Sequence, residues 1–371
     1  MKNKIIKYDF LIVGGGLVGS LAAIALFKKH YKVLVIDKNN LLPNDIRTLA
    51  INANSRDFLK DLNLWNKLKT EEEPIQQIII KDSINHENTV FKNNAQSMGS
   101  VIYNNSLLNI TRDFLKKNKL IFTGIDFDSI DLMPKTPIIL KNKYFMFSKI
   151  ILSLGKNYEN FDLLKKIQFK SYHKAYVGFF DHRKKHNQTA YEIFTSKGPL
   201  AVLPSPSLKK KSSTFIYSTK DQMNFFNLKK LIKENFQASH GAIELNPKIF
   251  SYPITPHLSN SLKKDFLILG DTSHSIHPVA GQGWNLGVKD IQTLCDNLLK
   301  YDIEDPNFDN LYTSNRIIEN IGYLSFTNFL NSLYENNTPL SNQIIKTSFF
   351  VLNKFNLLKE LFIKQAMGKL N

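Results

Sequence analysis

The chain contains 371 residues, of which 43% are hydrophobic and 22% are charged. These values are typical of globular proteins, and the length predicts one large domain or two interleaved ones. The single cysteine, Cys295, excludes an internal disulfide and any multi-cysteine metal or iron–sulfur site, which makes a reducing compartment the simpler interpretation.

The charge balance is strongly basic, with 49 Lys and Arg residues against 32 Asp and Glu residues and a net charge of +17. Such a charge favours anionic partners, whether membranes, nucleic acid or phosphorylated cofactors. Coding bias is the alternative explanation, because Lys, Asn, Ile and Phe are all abundant. The lysines are scattered and no nucleic-acid-binding module is recognisable, so we expect no nucleic-acid partner.

The first residues pass directly into an apolar strand, without the apolar core and cleavage site of a signal peptide. No window approaches the roughly 18–20 uninterrupted apolar residues of a spanning helix. We therefore expect a cytoplasmic protein, with peripheral contact to the inner membrane left open.

Residues 8–37 show the pattern of a βαβ unit. An apolar strand at 8–13 leads into a glycine turn, an Ala- and Leu-rich helix at 17–29, and a second strand at 32–36 that ends at Asp37. A crossover of this kind joins two parallel strands.

The remaining periodicity predicts further strands and a helical end. Helical spacing occurs at 53–64, 107–116 and 284–299, and from 305 to the end. Strands are predicted at 75–81, 90–91, 120–122, 137–140, 149–154, 174–180, 189–195, 200–203, 214–218 and 266–269. The run at 149–154 is typical of a buried parallel strand, whereas the four strands from 174 to 218 favour an antiparallel sheet that covers a substrate.

The glycine turn follows the dinucleotide-binding fingerprint, Gly14-x-Gly16-x-x-Gly19, between a strand and a helix. In that fingerprint Gly14 permits the tight turn, Gly16 lets the backbone approach a pyrophosphate, and Gly19 lets the helix pack on the strand. The helix that begins at Leu17 offers free N–H groups and partial positive charge to the phosphates. Asp37, 18 residues after Gly19, is placed to accept hydrogen bonds from an adenosine ribose. The alternative is a glycine-rich turn in an unrelated sheet.

A second glycine-rich segment spans 270–287. It leaves a strand with Asp271, crosses a loop containing Pro278, Gly281 and Gly283, and enters the next predicted helix. Glycines let the backbone lie against a flat ring, and the helix start directs its positive end at charge that develops there. An acid directly after the strand can bind a polyol hydroxyl.

The run GDTSHSIHPVAGQGWNLGVKD at 270–290 resembles the flavin motif of the FAD-dependent aromatic hydroxylases, and specifically of the ubiquinone-biosynthesis hydroxylases. Weaker support is spread over nearly the whole chain. It consists of VGGGLVGS at 13–20, RTLAINANSRDFLKDLNLW at 47–65, GPLAVLP at 198–204 and QAMG at 365–368.

The resemblance implies an α/β fold in which a Rossmann-like FAD-binding domain is interleaved with a substrate domain built on a mixed or antiparallel β-sheet, followed by C-terminal helices. We assign 1–73, 96–165 and 256–302 to the FAD-binding domain, 74–95 and 166–255 to the substrate domain, and 303–371 to the C-terminal helical region.

The resemblance also implies the cofactor contacts. Asp271 would bind the ribityl chain of FAD, and Arg47 would lie by its phosphates. The isoalloxazine would be lined by Pro278, Gly281, Gln282 and Gly283, and its pyrimidine edge would meet backbone groups of Asn285 and Leu286. Family members reduce the flavin with NAD(P)H and hydroxylate an activated aromatic ring with dioxygen. Because the cofactor carries the oxygen chemistry, we expect no catalytic side chain, triad or metal.

One motif departs from the family pattern. An Ala-Asp-Gly sequence usually precedes the substrate domain, and its acid assists interactions with the cofactor and the nicotinamide. Here the corresponding place is Ser153-Leu154-Gly155. The missing acid weakens the expectation of pyridine-nucleotide use, unless Ser153 substitutes for it.

We interpret the chain as an FAD-dependent monooxygenase that hydroxylates a polyprenyl-phenol intermediate of ubiquinone biosynthesis with O2 and NAD(P)H. Two alternatives stay open. One is a hydroxylation-deficient flavoprotein that serves as a binding or scaffolding subunit of a biosynthetic complex. The other is an FAD reductase or dehydrogenase that acts on a lipid, because a fold alone does not separate these activities.

The segment 341–371 alternates apolar residues with five lysines. A basic amphipathic helix of this sort can rest on an anionic membrane, which would suit a prenylated substrate. Packing of the apolar stripe on the protein's own core is the alternative that we favour.

Overall fold

The computed structural model describes residues 4–42, 47–93, 95–156, 158, 163–206, 210–277, 282–336 and 338–369. The strands in chain order are β1 (Ile5–Val13), β2 (Val33–Asp37), β3 (Thr48–Asn52), β4 (Glu73–Ile75), β5 (Gln77–Asp82), β6 (Asn88–Lys92), β7 (Gly99–Tyr103), β8 (Ile121–Thr123), β9 (Ile138–Leu140), β10 (Lys143–Leu152), β11 (Leu164–Gln168), β12 (Lys174–His182), β13 (Thr189–Thr195), β14 (Gly198–Pro204), β15 (Ser212–Thr219), β16 (Ile243–Leu245), β17 (Phe250–Pro253), β18 (His257–Ser261), β19 (Phe266–Ile268) and β20 (His274–Ser275). The helices are α1 (Leu17–Lys28), α2 (Ala53–Asp61), α3 (Asn104–Lys117), α4 (Phe225–His240), α5 (Gly283–Lys300), α6 (Phe308–Asn336), α7 (Pro339–Lys354) and α8 (Asn356–Ala366).

A parallel sheet with the strand order β19-β10-β1-β2-β8 lies at the centre, and β9 pairs with β10 in antiparallel register. Phe10 and Ile12 pack with apolar residues of α1 and α5, whereas Leu11 and Val13 join a second core on the opposite face. Burial on both faces explains why β1 ends in an unbroken apolar run. The strand predicted at 149–154 ends at Leu152, because it pairs with β1 only as far as Val13.

The predicted βαβ unit is present, since β1 and β2 pair in parallel and α1 connects them. The chain later returns on the other side of β1 as β10. In a parallel sheet, ligands bind in the crevice outside the carboxyl ends of the strands at the point where the strand order reverses. The carboxyl ends of β1 and β10 therefore mark the place where a site is expected.

A second sheet has the strand order β16-β12-β15-β14-β13-β5-β6, with β17 also paired to β12. Its pairs are antiparallel except for β13 with β5, so the sheet is mixed. Two small antiparallel sheets, β3-β7-β4 and β11-β18-β20, complete the strands of the described residues. The predicted fold class, an α/β protein with a Rossmann-like sheet, a mixed sheet and C-terminal helices, is confirmed.

The sequence analysis did not predict α4. This helix buries Leu228, Ile232 and Phe236, one on each turn, in the core of the mixed sheet. The Asn224 side chain caps it by accepting a hydrogen bond from the Asn227 N–H at 2.9 Å. Both signals, apolar spacing of four residues and an N-cap asparagine, are visible in the sequence.

The C-terminal region is helical, as predicted, and consists of α6, α7 and α8. The 29-residue α6 packs against α5 and against the mixed sheet at β14. Within the described ranges, no helix combines the length and the apolar character needed to cross a bilayer.

The fully buried carboxylate of Asp290 on α5 joins three other parts of the chain. It accepts hydrogen bonds from the Gly270 N–H at 2.7 Å, from His274 Nε2 at 2.9 Å and from Arg316 Nε at 2.6 Å. Burial alone would raise the pKa of Asp290, but His274 and Arg316 outweigh it and hold the pKa below its usual value. Asp290 therefore stays charged and ties α6 to the segment that follows β19.

We expect Asp290→Asn to lower the free energy of unfolding by about 3–5 kcal/mol. The buried Arg316 and His274 lose the carboxylate that lies between them, and Arg316 keeps only the partly exposed Glu319 as an acidic partner. Urea unfolding at neutral pH measures the change. Asp296→Asn, an exposed change on the same helix, is the control and should cost less than about 0.5 kcal/mol. Equal losses in the two variants would contradict a special role for Asp290.

Three buried histidines form a cluster at one end of the mixed sheet. The His182 ring lies 4.7 Å from the His240 ring and 6.1 Å from the His186 ring, measured between centroids. Burial, followed by the proximity of His182, lowers the pKa of His186 and of His240 to about 4. Glu73 Oε2 lies 4.0 Å from His186 Nε2, and burial raises the pKa of that carboxyl. The cluster is therefore held uncharged at neutral pH.

Mild acid should destabilise the fold through this cluster. An exposed histidine has a pKa of 6.5, so between pH 6.5 and about 4 the unfolded chain binds protons that folded His186 and His240 do not. We expect each histidine to remove roughly 3 kcal/mol from the free energy of unfolding as the pH falls through that window. Urea unfolding across the window measures the slope. The double variant His186→Asn/His240→Asn should show a shallower slope, and an unchanged slope would assign the pH dependence to other groups.

Candidate functional site

A cleft of about 820 Å³ opens at the carboxyl edge of the parallel sheet and extends to the mixed sheet. Its volume lies near the upper end of the roughly 300–1,000 Å³ typical of small-molecule and cofactor sites. One side is formed by the turn after β1, the ends of β2 and β10 and the start of the second glycine-rich segment, and the other by β12, β14, β15 and β17. The two glycine-rich segments found in the sequence therefore meet in one cavity.

The glycine turn approaches neighbouring backbone very closely. Gly14 has a φ of +102°, and a Cβ there would lie 2.2 Å from the carbonyl oxygen of Ser153. A Cβ on Gly19 would lie 2.0 Å from the carbonyl oxygen of Gly14, so α1 lies directly against the turn. Gly16, in contrast, lines the cleft, and a Cβ on it would meet nothing within 4 Å. No side chain caps α1, so its first N–H groups, from Leu17 onward, face the cleft and can bind an anion.

Asp37 lies at the cleft but is engaged by other parts of the chain. Its Oδ2 accepts hydrogen bonds from the Gly15 N–H and from Arg112 Nη2, both at 2.7 Å, and its Oδ1 accepts one from the Asn39 N–H at 2.7 Å. Arg112 comes from α3 and also lines the cleft. Sequence reasoning missed Arg112, because nothing in its local spacing relates it to Asp37. Its buried Nε has no hydrogen-bond partner among the described atoms, which leaves a donor for a ligand.

Arg47 lies at the mouth of the cleft, immediately before β3. Its guanidinium carbon is 5.4 Å from the centroid of the Tyr252 ring on β17, a cation–π distance. Both residues line the cavity. Arg47 thus connects the side of the glycine turn with the side of the mixed sheet.

The second glycine-rich segment is partly described. Asp271 lies in a short 3-10 turn after β19, exposed and lining the cleft, and its backbone carbonyl is held by His257 Nε2 at 3.1 Å. Gly283 also lines the cleft, with no atom within 4 Å of where its Cβ would lie. Pro278 and Gly281 lie outside the described residues.

The first turn of α5 borders a second, smaller cavity of about 280 Å³. Gln282, Asn285 and Leu286 line this cavity and are not among the residues that line the main cleft. The Asn285 side chain donates to the Ala50 carbonyl oxygen at 2.9 Å and accepts from the Asn52 N–H at 3.0 Å. Asn285 therefore fixes the start of α5 against β3.

The divergent motif at Ser153-Leu154-Gly155 lines the cleft between the two glycine-rich segments. The Ser153 N–H donates to the Val13 carbonyl oxygen at 2.8 Å, and the Leu154 N–H donates to Thr272 Oγ1 at 2.6 Å. The backbone is thus held on both sides. The Leu154 side chain, however, brings an apolar group to the place where the family carries an acid.

His274 and His277 of the flavin motif are buried and are not among the residues that line the cleft. His274 serves the Asp290 network. Burial lowers the pKa of His277 to about 3, and its ring lies 5.3 Å from the His173 ring. Both side chains are therefore placed to support the fold rather than to contact a ligand in the cleft.

One part of the cleft wall is mainly apolar. It comes from the strands of the mixed sheet and consists of Ala175, Val177, Leu203, Thr214, Ile216 and Tyr252. A wall of this kind binds a flat apolar ring and excludes water from it. Among the described residues, no group of three or more His, Cys, Asp or Glu is placed to hold a metal ion.

The cleft fits FAD in three respects. The backbone at Gly16 and Gly283 is open, which leaves room for phosphates and for a flat ring. Arg112 supplies a positive charge and an unpartnered Nε–H beside the turn. Asp271 presents an exposed carboxylate that can accept hydrogen bonds from a polyol chain.

Two family models match the chain. The FAD binding domain matches residues 180–302, and the NAD(P)-binding Rossmann-like domain matches residues 12–56. The first match includes the second glycine-rich segment, and the other includes the glycine turn and Asp37.

The chain is similar over nearly its whole length to curated ubiquinone hydroxylases. It is 26% identical to the mitochondrial ubiquinone biosynthesis monooxygenase COQ6 of Dictyostelium discoideum, with 99% of this chain and 92% of the relative covered. It is 28% identical to the ubiquinone hydroxylase UbiL of Rhodospirillum rubrum, with 98% and 90% covered. The 3-demethoxyubiquinol 3-hydroxylase of Escherichia coli is 23% identical, with 97% and 98% covered.

Solved structures show the same fold. The p-nitrophenol 4-monooxygenase PnpA of Pseudomonas putida superimposes with a TM-score of 0.75 at 14% identity, covering 98% of this chain and 99% of that one. A flavoprotein/dehydrogenase of Cytophaga hutchinsonii gives a TM-score of 0.72 at 14% identity, covering 98% and 93%. The resemblance inferred from the sequence is confirmed: the chain is an FAD-binding monooxygenase related along its whole length to the ubiquinone hydroxylases.

Proposed function

We propose that the chain hydroxylates the ring of a polyprenyl-phenol intermediate of ubiquinone biosynthesis. One oxygen atom of O2 enters the ring, the other leaves as water, and NAD(P)H supplies the two electrons. The observation that carries the proposal is that the apolar wall and both glycine-rich segments line one and the same cleft. The names of the relatives support the aromatic, prenylated substrate.

FAD would be held along the length of the cleft. The turn at Gly14, Gly16 and Leu17, with Arg112, would bind its phosphates, Asp37 would face its adenosine, and Asp271 its ribityl chain. Bound FAD supplies the chemistry that activates O2. The chain's own residues bind the cofactor, hold the ring against the apolar wall and exclude water.

The setting of the reaction follows from the substrate. A prenylated phenol partitions into a bilayer, so the chain would work as a cytoplasmic protein at the surface of the inner membrane, alone or within a biosynthetic complex. The net charge of +17 supports contact with an anionic surface.

Leu154 favours a second candidate function, a flavoprotein that binds FAD but does not hydroxylate. The family's acid is absent there, and the Leu154 N–H is already bonded to Thr272. Such a protein would bind the cofactor and a prenylated ligand as a subunit of a biosynthetic complex.

A turnover assay distinguishes the hydroxylase from the non-hydroxylating binding subunit. Protein purified with FAD is mixed with a short-chain polyprenylphenol, isotopically labelled O2 and either NADH or NADPH. We expect NAD(P)H oxidation that the phenol stimulates and one labelled oxygen in the product. Bound FAD and phenol without any labelled product would overturn the hydroxylase proposal and support the binding subunit.

Asp271→Ala should weaken FAD binding by about 10- to 100-fold, since a charge-assisted hydrogen bond contributes roughly 1.5–3 kcal/mol. Quenching of flavin fluorescence on titration measures the Kd. Asp61→Ala, an equivalent loss of an exposed acid at the end of α2, is the control and should leave the Kd unchanged. An unaltered Kd in Asp271→Ala would refute the ribityl contact.

A further inference from the structure

Helix α7 buries one stripe and leaves a large apolar residue outside it. Ser341, Ile345 and Phe349, spaced four residues apart, face the protein, where Ile345 and Phe349 pack beside the stacked rings of Phe194 and Tyr334. Phe350 lies outside this stripe and is 62% exposed. The favoured expectation, that the C-terminal stripe packs on the protein's own core, therefore holds for only part of this helix.

Helix α8 is more exposed still, because none of its side chains is buried. Phe355, at the junction with α7, is 49% exposed, and Leu357 and Leu361, one turn apart, are 70% and 41% exposed. We call this exposed apolar group the α7–α8 corner; it consists of Phe350, Phe355, Leu357 and Leu361. The helix is nevertheless anchored, since Ile363 and the following Met367 pack in a small core with Phe91 and Met98.

Lysines accompany these apolar side chains. Lys354 Nζ lies 5.4 Å from the centroid of the Phe350 ring and 6.0 Å from that of Phe355. Residues 339–369 contain five lysines and one glutamate. Only Lys369 among these lysines has an ion-pair partner in the described part of the chain, Asp57 at 3.1 Å. The corner is therefore apolar, with Lys354 beside it and further lysines in the same segment.

We propose that the α7–α8 corner docks the chain on an anionic lipid surface. Exposed Leu and Phe side chains on an amphipathic helix enter the boundary between headgroups and acyl chains, and nearby lysines are attracted to anionic headgroups. The charge argues against a second copy at this surface, because two chains of net charge +17 with basic corners repel each other. The long aliphatic stems of lysine also let it lie beside apolar groups at an interface.

Binding to vesicles tests the surface with the full chain. We expect cosedimentation with vesicles of mixed phosphatidylcholine and phosphatidylglycerol, little with phosphatidylcholine alone, and weaker binding as salt is raised. The double variant Phe350→Ser/Leu357→Ser should lower the partition coefficient at least about tenfold, which corresponds to roughly 1.4 kcal/mol. Lys354→Gln/Lys359→Gln should lower binding to the anionic vesicles only.

Phe226→Ser is the matched control, because this exposed phenylalanine lies on α4, and it should leave binding unchanged. The proposal would be overturned if the apolar double variant and the lysine double variant both bound anionic vesicles as tightly as the wild type. Loss of a dimer in Phe350→Ser/Leu357→Ser, seen by analytical ultracentrifugation without lipid, would assign the corner to a second copy instead. The vesicle assay uses no turnover, so its failure leaves the proposed hydroxylation intact, and an inactive enzyme that binds vesicles leaves the docking surface intact.

Discussion

The buried charge of Asp290 is the constraint on which the site depends most. One carboxylate, with no access to water, binds the Gly270 N–H just after β19, the ring of His274 and the guanidinium of Arg316. A buried carboxylate is tolerated only with partners of this kind, so the four elements cannot move independently. Asp271 follows Gly270 directly, and its position in the cleft is consequently set by a charge that lies behind it. The cofactor side of the cleft is thus held from the protein interior rather than from the cleft itself.

Close backbone contact imposes a second constraint at the turn after β1. The carbonyl of Ser153 occupies the space that any Cβ at Gly14 would need, and Ser153 itself is held by the end of β1. This geometry requires a glycine at 14, whereas the Leu154 side chain is half-buried against the second core of the parallel sheet. Where the resemblance predicts an acid, Leu154 gives the cleft an apolar group on a backbone that is held at residues 153 and 154. Divergence at this motif is compatible with FAD binding and affects what else can bind beside it.

Sequence patterns predicted the structural features that depend on residues close together in the chain. The βαβ unit, the glycine turn and the helical C-terminal region are local patterns, and they were found. Asp290 is the last residue of the flavin motif, but nothing in the local sequence shows that it meets Arg316, 26 residues away. Arg112 was missed for the same reason, being 75 residues from Asp37. Helix α4 had usable signals, whereas short strands such as β3 and β7 exist mainly because they pair with each other across the fold.

The positions of the lysine and arginine side chains help to explain the strongly basic composition. Lysine and arginine inside the protein are matched to acids: Lys149 lies between Asp265 and Asp309, Arg112 pairs with Asp37, and Arg316 pairs with Asp290. Burial forces this pairing, because an unpaired buried charge is costly. Coding bias alone would add lysines without regard to what lies beside them. The four lysines on α7 and α8 have no acidic partner among the described residues, and Lys354 lies beside the exposed rings of Phe350 and Phe355. Lysines that lack acidic partners and lie in the same segment as an exposed apolar corner are distributed as on a surface that contacts lipid.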